Sequence, residues 1–322
     1  MPDDAPGRST SPARLHRALG AVALAIALLV GAPRALDAQG TYLYTLSNFG
    51  GKVPYDWAQV QVDRSRNEIY VVYQNLVRIF SASGMEVFSF GDDLDLGQLL
   101  DAAVDPDGNI LLLSFRDGRS HVTRCNFRGV PTGTIEITNL PDGVEFAPNR
   151  MVIRHGQMYF ATLALAQLIV TDLSGAFKER VALLADAEID EKQRSNRLEI
   201  SGFSVDDDGN VYFTIPVIFR AFKLKADRTL ESFGRAGSAP GRFGIVAGIA
   251  PDSRGRLVVV DKLRSVLMLF DKDFSFITEF GYRGNRPGSL ILPEAVAIDS
   301  RDRVYVTQGA RRGVSVFALG AN

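Results

Sequence analysis

The chain has 322 residues, 46% hydrophobic and 23% charged, with a formal net charge of −1. The apolar content suffices for a sizeable core, and the near-neutral balance excludes the basic footprint of a nucleic-acid binder. A single cysteine, Cys125, excludes an internal disulfide, so stability must come from packing alone; its strand-like setting (Val122, Thr123, Arg124, Cys125, Asn126, Phe127) reads as a buried structural thiol.

The N-terminus has the layout of a secretory signal. Arg8, Arg14 and Arg17 form a positive region, residues 18–32 are uncharged and largely apolar, and Leu36, Asp37 and Ala38 precede Gln39. The apolar run is shorter than the ~20 residues a membrane-spanning helix needs. The expectation is therefore a signal peptide over 1–38, cleaved after Ala38, with no stable membrane span in the mature chain. That chain would work in the periplasm or outside the cell.

Residues 39–322 hold one pattern repeated. An apolar run, an Asp-type turn and a second apolar run recur six times: around Val60 and Ile69, Ala102 and Ile110, Met151 and Met158, Phe203 and Val211, Ile249 and Leu257, and Val296 and Val304. The third copy is degenerate, and Pro251 predicts an early end to its strand. Equivalent turns at Asp252 and Asp299 stand 47 residues apart. Short alternating runs at such a period mark propeller blades, which predicts an all-β, six-bladed β-propeller of four-stranded antiparallel blades. Third strands are expected around Val77, over 122–127, and around Leu168, Ala221, Val266 and Val314. Fourth strands are expected over 86–90, 133–137, 177–181, 230–233 and 277–280.

The last blade lacks a C-terminal fourth strand. Tyr42, Leu43, Tyr44, Thr45 and the run to Phe49-Gly50 read like the other fourth strands, which end in Phe90-Gly91, Phe233-Gly234 and Phe280-Gly281. The N-terminal strand of the mature chain is therefore expected to close the ring and to cover two sheet edges.

Phe-Gly-x-x-Gly, then Pro-Gly-x-Phe/Leu, an Asp turn, a Val/Tyr run and a third strand ending in Phe occur at 233–270 and again at 280–317. This pattern resembles the NHL-repeat family of six-bladed propellers. The resemblance implies a fold rather than one function, because the family includes protein-binding and RNA-binding scaffolds and a few lyases. Its amidating lyases hold zinc with channel histidines. Here His16 falls in the signal, leaving His121, expected in a loop, and His155 in a strand-connecting turn; two histidines do not make a three-histidine zinc site. No cofactor or catalytic residue is predicted. The turns at Asp105 and Asp206 resemble parts of calcium loops, so a bound Ca²⁺ stays open beside the plainer reading as tight turns.

Any site should lie where the chain enters each inner strand. Candidates are Asp56, Trp57, Gln59 and Ser201, with Asp101, Asn149, Arg150, Arg197, Glu199 and Glu294 as a charged ring that either binds a polar ligand or cation, or is neutralised internally. The same face carries an acidic arc (Asp92, Asp93, Asp95, Asp142, Glu145, Asp186, Glu188, Asp190, Glu191) and a basic arc. Lys262, Arg264, Arg283, Arg286, Arg311 and Arg312 of the basic arc are candidate partner contacts. Apolar stretches at 163–166 and 216–219 lie between the arcs, and the insertion 183–196 is either a lid or a decorated loop. The reading is an exported binding scaffold, monomeric, for a protein or small ligand; the alternative is a channel-mouth enzyme, a lyase or metal-assisted hydrolase.

Overall fold

The computed structural model describes residues 40–92, 95–190, 193 and 197–320. The expected signal, Asp93, Glu191 and residues 191–192 and 194–196 of the insertion lie outside the described residues. Six four-stranded antiparallel sheets form the blades of a propeller. Blade one runs Gln59–Asp63, Glu68–Tyr73, Leu76–Phe80 and Glu86–Phe90 from the axis outward. The inner strands of blades two to five are Gln98–Val104, Arg150–Arg154, Phe203–Val205 and Val246–Pro251. The degenerate third repeat folds as fully as the rest, with five paired positions between Arg150–Arg154 and Gln157–Thr162.

Blade six contributes Pro293–Ile298, Arg303–Gln308 and Val314–Ala318, and its fourth strand is Thr41–Thr45 from the other end of the chain, antiparallel to Val314–Ala318. This is the expected closure. The residue equivalence behind it needs correcting. Phe90 pairs with Val77 and Phe280 with Leu267, each three residues before the terminal Phe of the third strand. In blade six the corresponding place is Val314, and it is the Leu46 N–H that bonds to the Val314 carbonyl, at 2.9 Å. Leu46 is fully buried, whereas Phe49 is 99% exposed at the tip of a small hairpin of Ser47–Asn48 with Gly51–Lys52.

Six apolar clusters hold the ring, one between each pair of neighbouring blades. The cluster that joins the two ends of the chain contains Leu46, Val60, Ile69, Val71 and Phe80 against Tyr305, Val314 and Val316. Cys125 takes the inward place that Phe80, Phe270 and Phe317 hold elsewhere, and is buried beside Ile110. The surrounding strand is Arg119–Cys125, earlier than expected, so His121 lies in a strand rather than a loop, and the outer strand is Pro131–Ile135. Phe127 is left 69% exposed in the turn.

The repeated Phe-Gly to Pro-Gly signature folds the same way twice. Phe243 N–H bonds to the Arg235 carbonyl and Leu290 N–H to the Tyr282 carbonyl, at 3.0 and 2.9 Å, folding each link back on itself. Gly234 and Gly281 have φ of +96° and +99°, and a Cβ on either would lie 2.1 or 2.5 Å from Phe243 or Leu290. Only glycine satisfies both the backbone and the buried neighbour.

The Asp turns repeat as well. Asp105 Oδ1 accepts the Asn109 N–H and Oδ2 its side-chain amide; Asp206 does the same with Asn210. In blades five and six an arginine replaces the amide, Arg256 on Asp252 and Arg303 on Asp299. Each aspartate thus ties its own turn, the tight-turn role expected of these residue types. Pro251, contrary to expectation, lies within its strand. Its carbonyl faces the channel, where Arg64 donates to it, so its ring nitrogen also faces away from the neighbouring strand and no ladder bond is lost. Among the described residues no helix is long and apolar enough to cross a membrane.

Candidate functional site

The inner strands surround a central cavity. At the end where they begin, blades two, five and six each insert an extra residue, with register breaks between Leu99 and Asp101, Val246 and Ile249, and Pro293 and Val296. Such bulges redirect side chains and free backbone groups. In blade six the Thr307 hydroxyl receives the Ala295 N–H at 3.0 Å; in blade four Thr214 does the same for Gly202 at 2.8 Å.

The opposite end is crossed by arginines. Arg64, just past the inner strand of blade one, donates to the carbonyls of Pro251 (3.2 Å) and Ile298 (3.3 Å) in blades five and six, and pairs with Asp207 of blade four at 2.8 Å. Arg154 of blade three approaches the same carboxylate at 3.4 Å, and the His155 ring meets the Asp207 carbonyl. Burial, then the neighbouring Arg64, hold the Arg154 guanidinium below its ordinary pKa.

Between these ends the cavity is bordered by the inner strands at Val60, Val152, Phe203, Ile249 and Val296, whose side chains pack largely between the blades, by the amides and hydroxyls of Gln59, Gln61, Ser201 and Ser204, and by four charged residues, Arg64, Arg150, Arg154 and Glu294. Arg150 donates to the preceding carbonyl of Asn149 at 2.6 Å and makes no ion pair among the described residues. Burial pulls its pKa down against the attraction of Asp101 and Glu294. The Ser204 hydroxyl is buried with no hydrogen-bond partner among the described residues.

Of the six residues expected in a charged ring, Arg150 and Glu294 line the cavity. Asp101 is not part of the lining and is fully buried, its carboxylate accepting from the backbone N–H groups of Ala102 (2.9 Å) and Met151 (3.0 Å) and facing Gln61 at 3.4 Å. Burial raises its pKa, opposed by Arg150 and those N–H groups. Asn149 caps a turn by accepting the Leu163 N–H. Arg197 and Glu199 pair with each other at 2.5 Å in solvent, with Arg197 80% exposed. Arg64 and Arg154 were not foreseen as cavity residues. They stand at the far ends of the inner strands, Arg154 where the other repeats have the turn aspartate and Arg64 one residue past it.

The rim combines charge and apolar surface. Glu294 pairs with Lys262, whose ammonium sits 4.9 Å from the ring centre of Trp57. Trp57 is about half exposed and donates from Nε1 to the Leu292 carbonyl at 3.3 Å. Leu165 and Val217, in one-turn helices at Leu163–Leu165 and Pro216–Ile218, project outward, while Leu163 and Ile218 are buried. Half of each expected apolar stretch is therefore core. The start of the 183–196 insertion packs inward through Leu183, Ala187 and Ile189. In the basic arc, Arg264 is held by Glu279 at 2.8 Å and Arg312 donates to the Asn285 and Ser289 carbonyls, whereas Arg283, Arg286 and Arg311 are exposed. Among the described residues no three of His, Cys, Asp and Glu group as metal ligands.

No family model and no curated protein matches the chain. Solved structures do. A catalytically inactive histidine-to-alanine variant of virginiamycin B lyase from Staphylococcus aureus, with quinupristin, superposes with a TM-score of 0.53 at 12% identity, over 88% of this chain and 97% of that one. An auxiliary nutrient binding protein from Bacteroides thetaiotaomicron gives 0.58 at 12%, over 88% and 76%. A protein of unknown function from the same organism gives 0.61 at 14%, over 85% and 74%. At these identities the likeness establishes the shared six-bladed propeller fold and nothing of chemistry.

Proposed function

We propose that this is an exported NHL-type propeller that works as a binding scaffold, taking a small polar ligand into the central cavity from its open rim. The observation that carries this reading is the asymmetry of the cavity. Arg64, Arg154 and Asp207 cross one end, while Arg150 near the other and the Ser204 hydroxyl in the lining have no partner side chain. Concave, largely apolar sites with a few convergent polar groups are the usual form of small-ligand sites. The proposed export rests on the N-terminal arrangement of arginines, apolar run and Ala38. The NHL assignment rests on the twice-folded Phe-Gly to Pro-Gly link.

Binding is tested by native mass spectrometry of the full chain, expressed with its own leader, against a panel of small polar compounds. Ser204→Trp, which would fill the cavity, should abolish any complex seen with the wild type; an unchanged complex would move the site elsewhere. N-terminal sequencing of the exported protein should begin at Gln39.

A second reading, capture of a protein partner, is favoured by the exposed rim residues Trp57, Leu165, Val217 and Leu263. The enzymatic alternative would use the same rim. Of the described histidines, His121 stands on the third strand of blade two, just past its loop on the rim face and outside the central cavity, and His155 lies at the arginine-crossed end. Metal analysis of the purified protein separates these readings, because a tightly held stoichiometric metal would favour the enzyme.

A further inference from the structure

We infer that the ligand of this cavity is a monocarboxylate, its carboxylate held by Arg150. This rests on the cavity being the binding site. The charged residues of the lining are three arginines and one glutamate. Two arginines, Arg64 and Arg154, already face Asp207, and the glutamate already faces Lys262. Arg150 is left as the cation without a carboxylate among the described residues, donating only to the Asn149 carbonyl. Asp101 does not fill that role, since it is not part of the lining and its oxygens already receive two backbone N–H groups.

A guanidinium presents a planar fork that matches a carboxylate with two parallel hydrogen bonds, and in a site shielded from water such a pair is stronger than a neutral contact. The Ser204 hydroxyl, in the same lining and buried without a partner, supplies a further donor. A single negative charge is the right number: Glu294, on the blade across the ring from Arg150, repels a second.

The experiment is calorimetric titration of the full chain with benzoate, benzamide, benzylammonium and inorganic phosphate. Benzoate should bind at least tenfold more tightly than the other three. Arg150→Gln should remove that preference, Arg150→Lys should keep part of it, and Glu294→Gln should tighten benzoate several-fold, since it removes the repelling charge and frees Lys262. Should Arg150→Gln fail to fold, the Glu294→Gln shift and the benzoate-to-benzamide ratio still decide. Equal binding of benzoate and benzamide, or a preference for benzylammonium or phosphate, overturns the carboxylate assignment while leaving the cavity as a binding site. Benzoate binding that Ser204→Trp does not disturb overturns the cavity reading itself, and binding of none of the four overturns the carboxylate assignment.

Discussion

Arg64 of blade one and Asp207 of blade four hold each other at 2.8 Å across the axis of the ring, joining blades that share no other side. The carboxylate is 64% exposed, so the ion pair alone contributes little, while the arginine is 20% exposed and also carries the carbonyls of Pro251 and Ile298. Arg64→Ala removes three hydrogen bonds and should cost ~1–3 kcal/mol. Asp207→Asn should cost less than about 1 kcal/mol. Urea unfolding of both variants checks the ordering. Equal losses would place the stabilisation in the ion pair instead of the carbonyl contacts.

Ring closure makes a sharper test. Leu46 is fully buried between blades six and one, and Phe49 is 99% exposed. Leu46→Ala should cost ~2–5 kcal/mol, the usual range for truncating a buried leucine. Phe49→Ala should stay within about 0.5 kcal/mol. Deleting residues 39–50 should lower the melting temperature severely, because it bares the edges of Val314–Ala318 and opens the cluster around Tyr305. A melting temperature unchanged by that deletion would refute the closure.

The contrast between those two residues also explains how far the sequence is legible. Blade number, strand order and the borrowed strand follow from alternating runs and Asp turns, because those patterns are local and a period-two strand must bury one face. The Phe49-Gly50 motif misleads because it matches the repeat in composition, whereas register is set by pairing: the Leu46 N–H reaches Val314, and the motif is displaced into a hairpin. Position near the rim was legible too, which is why Arg150 and Glu294 were found. What each charge meets was not. Whether Asp101 faces a ligand or the N–H groups of Ala102 and Met151 depends on a bulge at residue 100 and on the neighbouring blade, neither of which has a local signature. Arg64 and Arg154 were missed for the same reason, since their shared partner Asp207 is contributed by a different blade.

Cys125 gives a pH-dependent prediction. Burial pushes its thiol up to about 11 from an ordinary value of 9.0, so the folded chain keeps a proton that the unfolded chain releases. Its contribution to stability is therefore intact below about pH 9 and is lost as pH rises towards 11. In the native protein at neutral pH the thiol should react with Ellman's reagent at the rate of global unfolding, and immediately in denaturant, since the thiolate is the reactive form. Rapid labelling of the native chain would mean that the blade-two strand Arg119–Cys125 opens locally.

The basic arc should divide into two classes on substitution. Arg264 is largely buried, with both guanidinium-to-carboxylate contacts to Glu279 at 2.8 Å and a further bond to the Arg242 carbonyl at 3.1 Å. Its replacement by alanine leaves Glu279, only 13% exposed, without its cation, which should cost ~3 kcal/mol or more, as for a buried pair broken on one side. Arg283, Arg286 and Arg311 are exposed, and alanine at any of them should change stability by no more than about 0.5 kcal/mol. Thermal unfolding separates the two classes. If a protein partner uses this rim, charge reversal at Arg311 should weaken its capture in a pull-down at low salt and lose that effect at high salt, because exposed charges act over a Debye length of ~10 Å at 0.1 M. Arg264→Ala, compared at a temperature where both variants are folded, should leave capture unchanged, since its guanidinium already faces Glu279.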